Sequence, residues 1–192
     1  MAAKKVIFVI ITILFVGSLF YQWHKKEVEM IEMEYRQEIA KLRSEPWLPR
    51  DIISLKIYSL NVDTYKVETD CYVAVPRNST LLQKLKILAD KLSKFEFQYH
   101  PIKVLKIENR NGKNIALIEL KEPDYSGAFT WRGGFFQGST GGLSTTIKLT
   151  ETFLQKDYQG EWIDGVEFYY EGQPISDEWV HIRLNGTIFR TK

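Results

Sequence analysis

The chain has 192 residues, with 26 Lys and Arg against 24 Asp and Glu, a length that suits one globular domain with attachments. Its content of 44% hydrophobic and 26% charged residues excludes a disordered polyampholyte and a polytopic membrane protein. The charges in residues 1–26 are four lysines, and taking four from 26 leaves 22 basic against 24 acidic residues, too little positive charge for a nucleic-acid footprint.

Residues 1–5 form a short tail, and Val6 to Trp23 (VIFVIITILFVGSLFYQW) follows without a charged residue. As a helix it would rise about 27 Å, close to the hydrocarbon thickness of a bilayer. Tyr21 and Trp23 fall where interfacial rings are favoured, and Lys4, Lys5, Lys25 and Lys26 flank the segment. Residues 6–23 therefore read as an uncleaved single-span anchor, with a cleaved signal peptide as the rival. The lysine count favours a cytoplasmic C-terminal part, whereas a lysine pair ahead of a first apolar segment marks an exported chain.

Residues 24–49 read as a juxtamembrane helix and a Pro-containing linker. Within 27–45, Val28, Tyr35 and Leu42 repeat every seven residues beside Ile31 and Ile39. The stripe supports a spacer helix, or a short coiled coil that would pair two copies; Glu38 interrupts the seam and favours the spacer. Pro46-Trp47-Leu48-Pro49 then marks the boundary of a globular domain over 50–192.

Ile52–Leu60 alternates as a strand through Ile53, Leu55 and Ile57. Tyr65–Val75 is expected to place Tyr65, Val67, Cys71, Val73 and Val75 on one apolar face, with Asn61–Thr64 as the turn. Cys71 reads as a small buried hydrophobe. Ser79 or Thr80 caps a helix to about Lys91, carrying Leu81, Leu82, Leu85, Leu88, Ala89 and Leu92. Ile102–Ile107 and Asn114–Leu120 form a hairpin around Asn111-Gly112.

The connection Lys121–Gly138 carries the candidate binding residues Tyr125, Phe129, Trp131, Arg132, Phe135 and Phe136, interleaved with glycines. Aromatic rings and Arg are enriched at binding hot spots, and long loops in compact domains are often functional. The alternative is that the rings fold back and extend the core. Gly138-Ser139-Thr140-Gly141-Gly142 reads as an ordinary capping turn. The second helix runs from Ser139 to about Lys156, with Leu143, Thr146, Ile147, Thr150, Phe153 and Leu154 as its inner face. Gly165–Glu171 is a strand, and Trp179–Leu184 and Thr187–Arg190 flank a hairpin candidate at Asn185-Gly186. The order is ββ-α-ββ-α-β with a terminal β extension, an α+β fold on an antiparallel or mixed sheet.

Chemistry is sparse. A lone cysteine makes no intramolecular disulfide, and His24, His100 and His181 are not at metal-ligand spacing. His100 and His181 read as surface residues without a partner nearby in sequence. No nucleophile elbow or phosphate loop is present, so neither metal, cofactor nor enzymatic activity is expected.

The two-strand opening, the Asn-Ser-Thr-Leu-Leu-Gln-Lys-Leu helix, the Ile-Ala-Leu-Ile-Glu-Leu strand, and Gly-Ser-Thr-Gly-Gly leading a Thr-rich helix form a pattern. With Gly165-Val-Glu-Phe-Tyr-Tyr-Glu-Gly-Gln-Pro174 after it, the pattern over about 52–175 resembles the GerMN domain of bacterial sporulation and germination proteins. Residues 176–192 extend past the likeness, and no lipid-anchor cysteine follows the apolar run, unlike many members. The resemblance implies a non-catalytic, membrane-anchored extracytoplasmic module that supports envelope or sporulation complexes through protein contacts. The alternative role is a module for cell-wall glycan or a small ligand, using loop 125–138.

Overall fold

The computed structural model describes residues 51–124, 129–176 and 178–191, together with the isolated positions Lys26, Met30, Met33 and Gln37. The chain divides into two units, Met1–Arg50 and Asp51–Lys192. In the first, the four described positions have helical backbone and are exposed. The span expected at 6–23, the seam residues Val28, Ile31, Tyr35, Ile39 and Leu42, and the linker 46–49 all lie outside the described residues. Among those that are described, no helix is long and apolar enough to cross a membrane.

The second unit is α+β, with two sheets and helices between their strands in sequence. Strands β1 (Ile52–Asn61) and β2 (Lys66–Pro76) form an antiparallel hairpin, turned where Asn61 Oδ1 accepts from the amides of Asp63 and Thr64. Ile53, Leu55, Ile57, Val73 and Val75 are buried, as the alternation requires. Tyr65 and Val67 are not: they are 60% and 45% exposed, which corrects the single apolar face expected for β2. The register jumps from Ile57↔Cys71 to Tyr58↔Thr69, leaving Asp70 as an extra residue. One extra residue reverses which side chains point inward. Tyr65 itself belongs to the turn, at φ 55°.

Helix α1 (Leu81–Glu96) starts at Thr80, whose side chain accepts from Gln83 N while Gln83 returns a bond to Thr80 N. Leu85, Leu88, Ala89 and Leu92 line its buried face. Strands β3 (Ile102–Arg110) and β4 (Lys113–Leu120) meet at Asn111 (φ 53°) and Gly112 (φ 80°), the two positive φ values that a tight hairpin turn demands. β5 (Gly165–Tyr170) pairs parallel to β4, and its far edge is shared by β6 (Gln173–Pro174) at one end and β7 (Thr187–Phe189) at the other. On the face away from the core, Ile115 and Leu117 pair across the ladder with Glu108, Lys106 and Glu167. Lys106–Glu108–Arg110–Glu167 ion pairs run over that face.

Helix α2 (Ser139–Leu154) is rotated from its expected face. Gly142, Thr145, Leu149 and Thr152 are buried beside Thr146, Thr150, Phe153 and Leu154, while Leu143 and Ile147 are half-buried. Gly142 sets the rotation, because a Cβ there would collide with the His181 carbonyl. The buried hydroxyls are satisfied: Thr146 and Thr150 donate to the carbonyls of Gly142 and Thr146, and Thr146 also accepts from Arg183 N. Gly138 (φ 71°) is the N-cap of α2 and offers no side chain, so 139–142, expected as a capping turn, is the first turn of the helix itself, with Gly142 N donating to Gly138 O.

The segment expected to be a strand at Trp179–Leu184 is a turn followed by irregular chain. Its backbone groups go to α2 and to local turns (Arg183 N to Thr146, Ile182 N to Trp179 O), so it pairs with no strand. Gly186 (φ 63°) then directs the chain into β7, which pairs with β5.

The outer edge of β1 meets the end of α2. Tyr58 N donates to Thr152 Oγ1 at 3.0 Å, Lys56 N donates to Gln155 Oε1 at 3.0 Å, and Gln155 Nε2 donates back to Lys56 O at 2.5 Å. A side-chain amide thus pairs with both backbone groups of Lys56 as a neighbouring strand would, which closes an edge open to stray pairing. Between the helices, Lys148 reaches Glu96 at 2.5 Å. Burial pushes the Glu96 carboxyl above its usual range, and Lys148 pulls it only part of the way back.

Candidate functional site

The connection from β4 to α2 begins where β4 and β5 end side by side, and its polar groups first serve to hold it there. Glu122 is the anchor. Its Oε2 accepts from Trp131 N at 3.0 Å, and its Oε1 accepts from Arg132 N at 3.1 Å and from the Tyr170 hydroxyl at 2.7 Å. Burial and the bond to this carboxylate push the Tyr170 phenol up, so it remains a donor. Glu171 Oε1 accepts from Glu122 N at 2.6 Å.

Trp131–Phe135 then makes one turn of π-helix, begun by Thr130, whose hydroxyl accepts from Gly133 N at 2.7 Å. Two glycines are needed in this turn. A Cβ on Gly134 would enter the Phe129 ring, and one on Gly133 would crowd the Thr130 hydroxyl. With the space open, Phe129 meets Phe135 edge-on at 4.9 Å.

Trp131 and Phe136 are fully buried, with Trp131 Nε1 donating to Lys121 O at 2.9 Å. Phe97 packs on Trp131 at 4.7 Å and on Phe135 at 5.0 Å. Phe136 contacts Tyr170 at 5.5 Å and Trp179 at 5.2 Å. The candidate binding residues are therefore divided. Trp131 and Phe136 belong to the core, Phe135 is half-buried, and Phe129 and Arg132 reach the surface. The Arg132 guanidinium lies 5.8 Å from the Trp179 ring, within cation–π range. Tyr125 lies outside the described residues.

His100 is buried as well, which corrects its reading as a surface residue. Its Nδ1 lies 2.7 Å from Phe97 O and its Nε2 2.6 Å from Phe129 O, with the rings of Trp131 and Phe135 edge-on at 5.6 and 5.1 Å. A neutral imidazole can donate to one of these carbonyls, and the protonated ring donates to both. His100, Glu122, Tyr170 and Trp179 were all missed from sequence. His100 stands 29 residues from Phe129, Glu122 9 from Trp131, Tyr170 48 from Glu122 and Trp179 43 from Phe136, and no periodicity links such separations. His181 is exposed, as expected.

The site offers a firm platform with a fringe of Phe129, Arg132 and the half-buried Trp179. Its ionisable groups are engaged with backbone and hydroxyl partners, so what the fringe presents is contact area and one cation. Among the described residues no group of three His, Cys, Asp or Glu is arranged to hold a metal. Cys71 is free, and burial beside Asp70 and Glu96 pushes its thiol up to about 12, far from a reactive thiolate. No protein-family model, no curated protein and no solved structure matches this chain.

Proposed function

We propose that this chain is a non-enzymatic assembly module, anchored in the membrane by residues 6–23, with its globular unit on the extracytoplasmic side. In this reading it is a GerMN-like protein of sporulation, germination or the cell envelope, and it acts by binding a protein partner. The observation that carries the reading is the division at 129–136. Buried Trp131 and Phe136 fix a platform from which Phe129 and Arg132 project, and a rigid, pre-organised aromatic and Arg surface is what a protein hot spot needs. The uncharged run Val6–Trp23 supports the anchor, and the motif over 52–175 supports the family. The use of Glu122 and His100 in fixed backbone bonds supports a structural rather than a catalytic role for these groups.

Two experiments test it. Protease added to intact, wall-stripped cells should digest a C-terminal tag, with lysed cells as control; protection until lysis would place the domain in the cytoplasm and sink the extracytoplasmic part. Separately, Phe129→Ser with Arg132→Glu should abolish crosslinking to the partner and leave the melting temperature near wild type. Unchanged crosslinking in that variant would remove this surface from the account.

A further inference from the structure

A second surface, on other elements, has the opposite character. A cleft of about 490 Å³ opens between Ser54, Lys56 and Tyr58 of β1 and the residues Asp157, Tyr158 and Gly160 that follow α2. That volume falls in the range of ~300–1,000 Å³ typical of small-molecule sites.

Its groups keep hydrogen-bonding capacity in hand. Asp157 Oδ2 accepts from Lys56 Nζ at 2.7 Å and from the Tyr58 hydroxyl at 3.2 Å, and among the described residues no donor reaches Oδ1. Lys56 uses one of three ammonium hydrogens on this carboxylate, and the Tyr58 oxygen keeps its acceptor positions. Ser54 sits opposite Ala74 in the ladder and is exposed, and among the described residues its hydroxyl makes no hydrogen bond. Lys56 and Asp157 cancel each other's charge, and Arg77 at the rim is paired with Asp51 at 2.6 Å. Lys56 holds Asp157 below the usual carboxylate range, and burial beside Asp157 raises the Tyr58 phenol, so acceptor and donor keep their forms across physiological pH.

The walls are fixed. Gln155 clamps the backbone of Lys56, and Thr152 clamps that of Tyr58. The Tyr158 ring packs on Trp162 at 5.4 Å. Gly160 allows this placement, since a Cβ there would collide with the Tyr158 hydroxyl. Arg190 Nη2 donates to Gln155 O at 2.8 Å and also to Tyr158 O, tying down the turn between them.

A ligand for such a cleft carries donors and acceptors in alternation, has no net charge, and has a flat apolar face for one aromatic ring. An anion would meet the Asp157 carboxylate, and a cation would meet Lys56. We propose that the cleft binds a neutral saccharide chain, with one sugar face on Tyr158 and hydroxyls bridging Lys56 Nζ and Asp157 Oδ1. The site is independent of the Phe129–Arg132 surface and does not rest on its role.

The test is a titration of the full-length chain with cellotetraose and with chitotetraose, followed by amide resonances, with inorganic phosphate as the counter-probe. One or both sugars should give saturable shifts at Ser54, Lys56, Tyr158 and Gly160, and phosphate should give none there. Tyr158→Ala should weaken binding at least tenfold. Because Tyr158 also packs against Trp162, Ser54→Trp provides a second variant, filling the mouth from an exposed strand position; it should weaken binding as much while the melting temperature stays put. The proposal is overturned if neither sugar shifts these amides, if binding survives in Ser54→Trp, or if phosphate saturates the same residues. Crosslinking through Arg132 should be indifferent to Ser54→Trp, which separates failure of this site from failure of the assembly role.

Discussion

Glu122 and Asp157 are carboxylates on segments that leave a core element, and they are used in opposite ways. Glu122 accepts from two backbone amides and a phenol, so its capacity goes into fixing the aromatic segment. Asp157, which lines an open cleft, receives both of its side-chain donors on one oxygen, and among the described residues the other has no donor. A tyrosine hydroxyl reaches the carboxylate in each case, yet one cluster is architecture and the other is an offer to a ligand. What separates them is hydrogen-bond capacity left over after folding, which composition does not reveal.

The sharpest break of this comparison is at the centre of the first cluster. Trp131→Ala removes a ring with no exposed surface and should cost about 3–5 kcal/mol, read as a large fall in melting temperature. A melting temperature near wild type would mean the ring is not the base of the platform. Next is the clamp behind the cleft. Gln155→Ala strips Lys56 of partners for both its N–H and C=O and should cost about 1–3 kcal/mol, with faster hydrogen exchange at the Lys56 amide. Exchange as slow as in wild type would show that β1 does not depend on this side chain.

Glu96 gives a pH signature. Its folded-state pKa is raised, so the folded chain binds a proton more tightly than the unfolded one. The resulting destabilisation is absent below the ordinary carboxylate pKa and grows as pH rises through the folded value. The stability difference between Glu96→Gln and wild type should therefore widen in favour of the variant from acid to neutral pH. A difference independent of pH would contradict the assignment. The smallest stability effect belongs to the fringe: Arg132→Glu, at an exposed position, should change stability by no more than about 0.5 kcal/mol.

Legibility in the sequence followed how local the cause was. The leucines and the N-terminal cap of α1, and the Asn111-Gly112 hairpin, are written within a few residues and were readable. The phase of β2 was not, because Asp70 is an extra residue only in relation to β1. The rotation of α2 depends on Gly142 meeting a carbonyl 39 positions away at His181, and Thr145 and Thr152 look like part of a polar face until their partners Phe135 O and Tyr58 N are seen. Trp179–Leu184 alternates as a strand would but gives its backbone to α2. In the candidate site, the aromatic and glycine composition drew attention to the segment, while the split between buried Trp131 and Phe136 and surface Phe129 and Arg132 required the fold. The cleft is assembled across about 100 residues, from Lys56 to Asp157, and nothing in either stretch announces the other.

The central claim is that the fringe at 129–132 is the contact surface of an assembly module, and site-specific photocrosslinking in intact cells tests it directly. A photoreactive residue at position 132 should give a discrete protein adduct, and the same residue at the exposed position 86 on α1 should not. The absence of an adduct at 132, or the same adducts at both positions, would contradict the account.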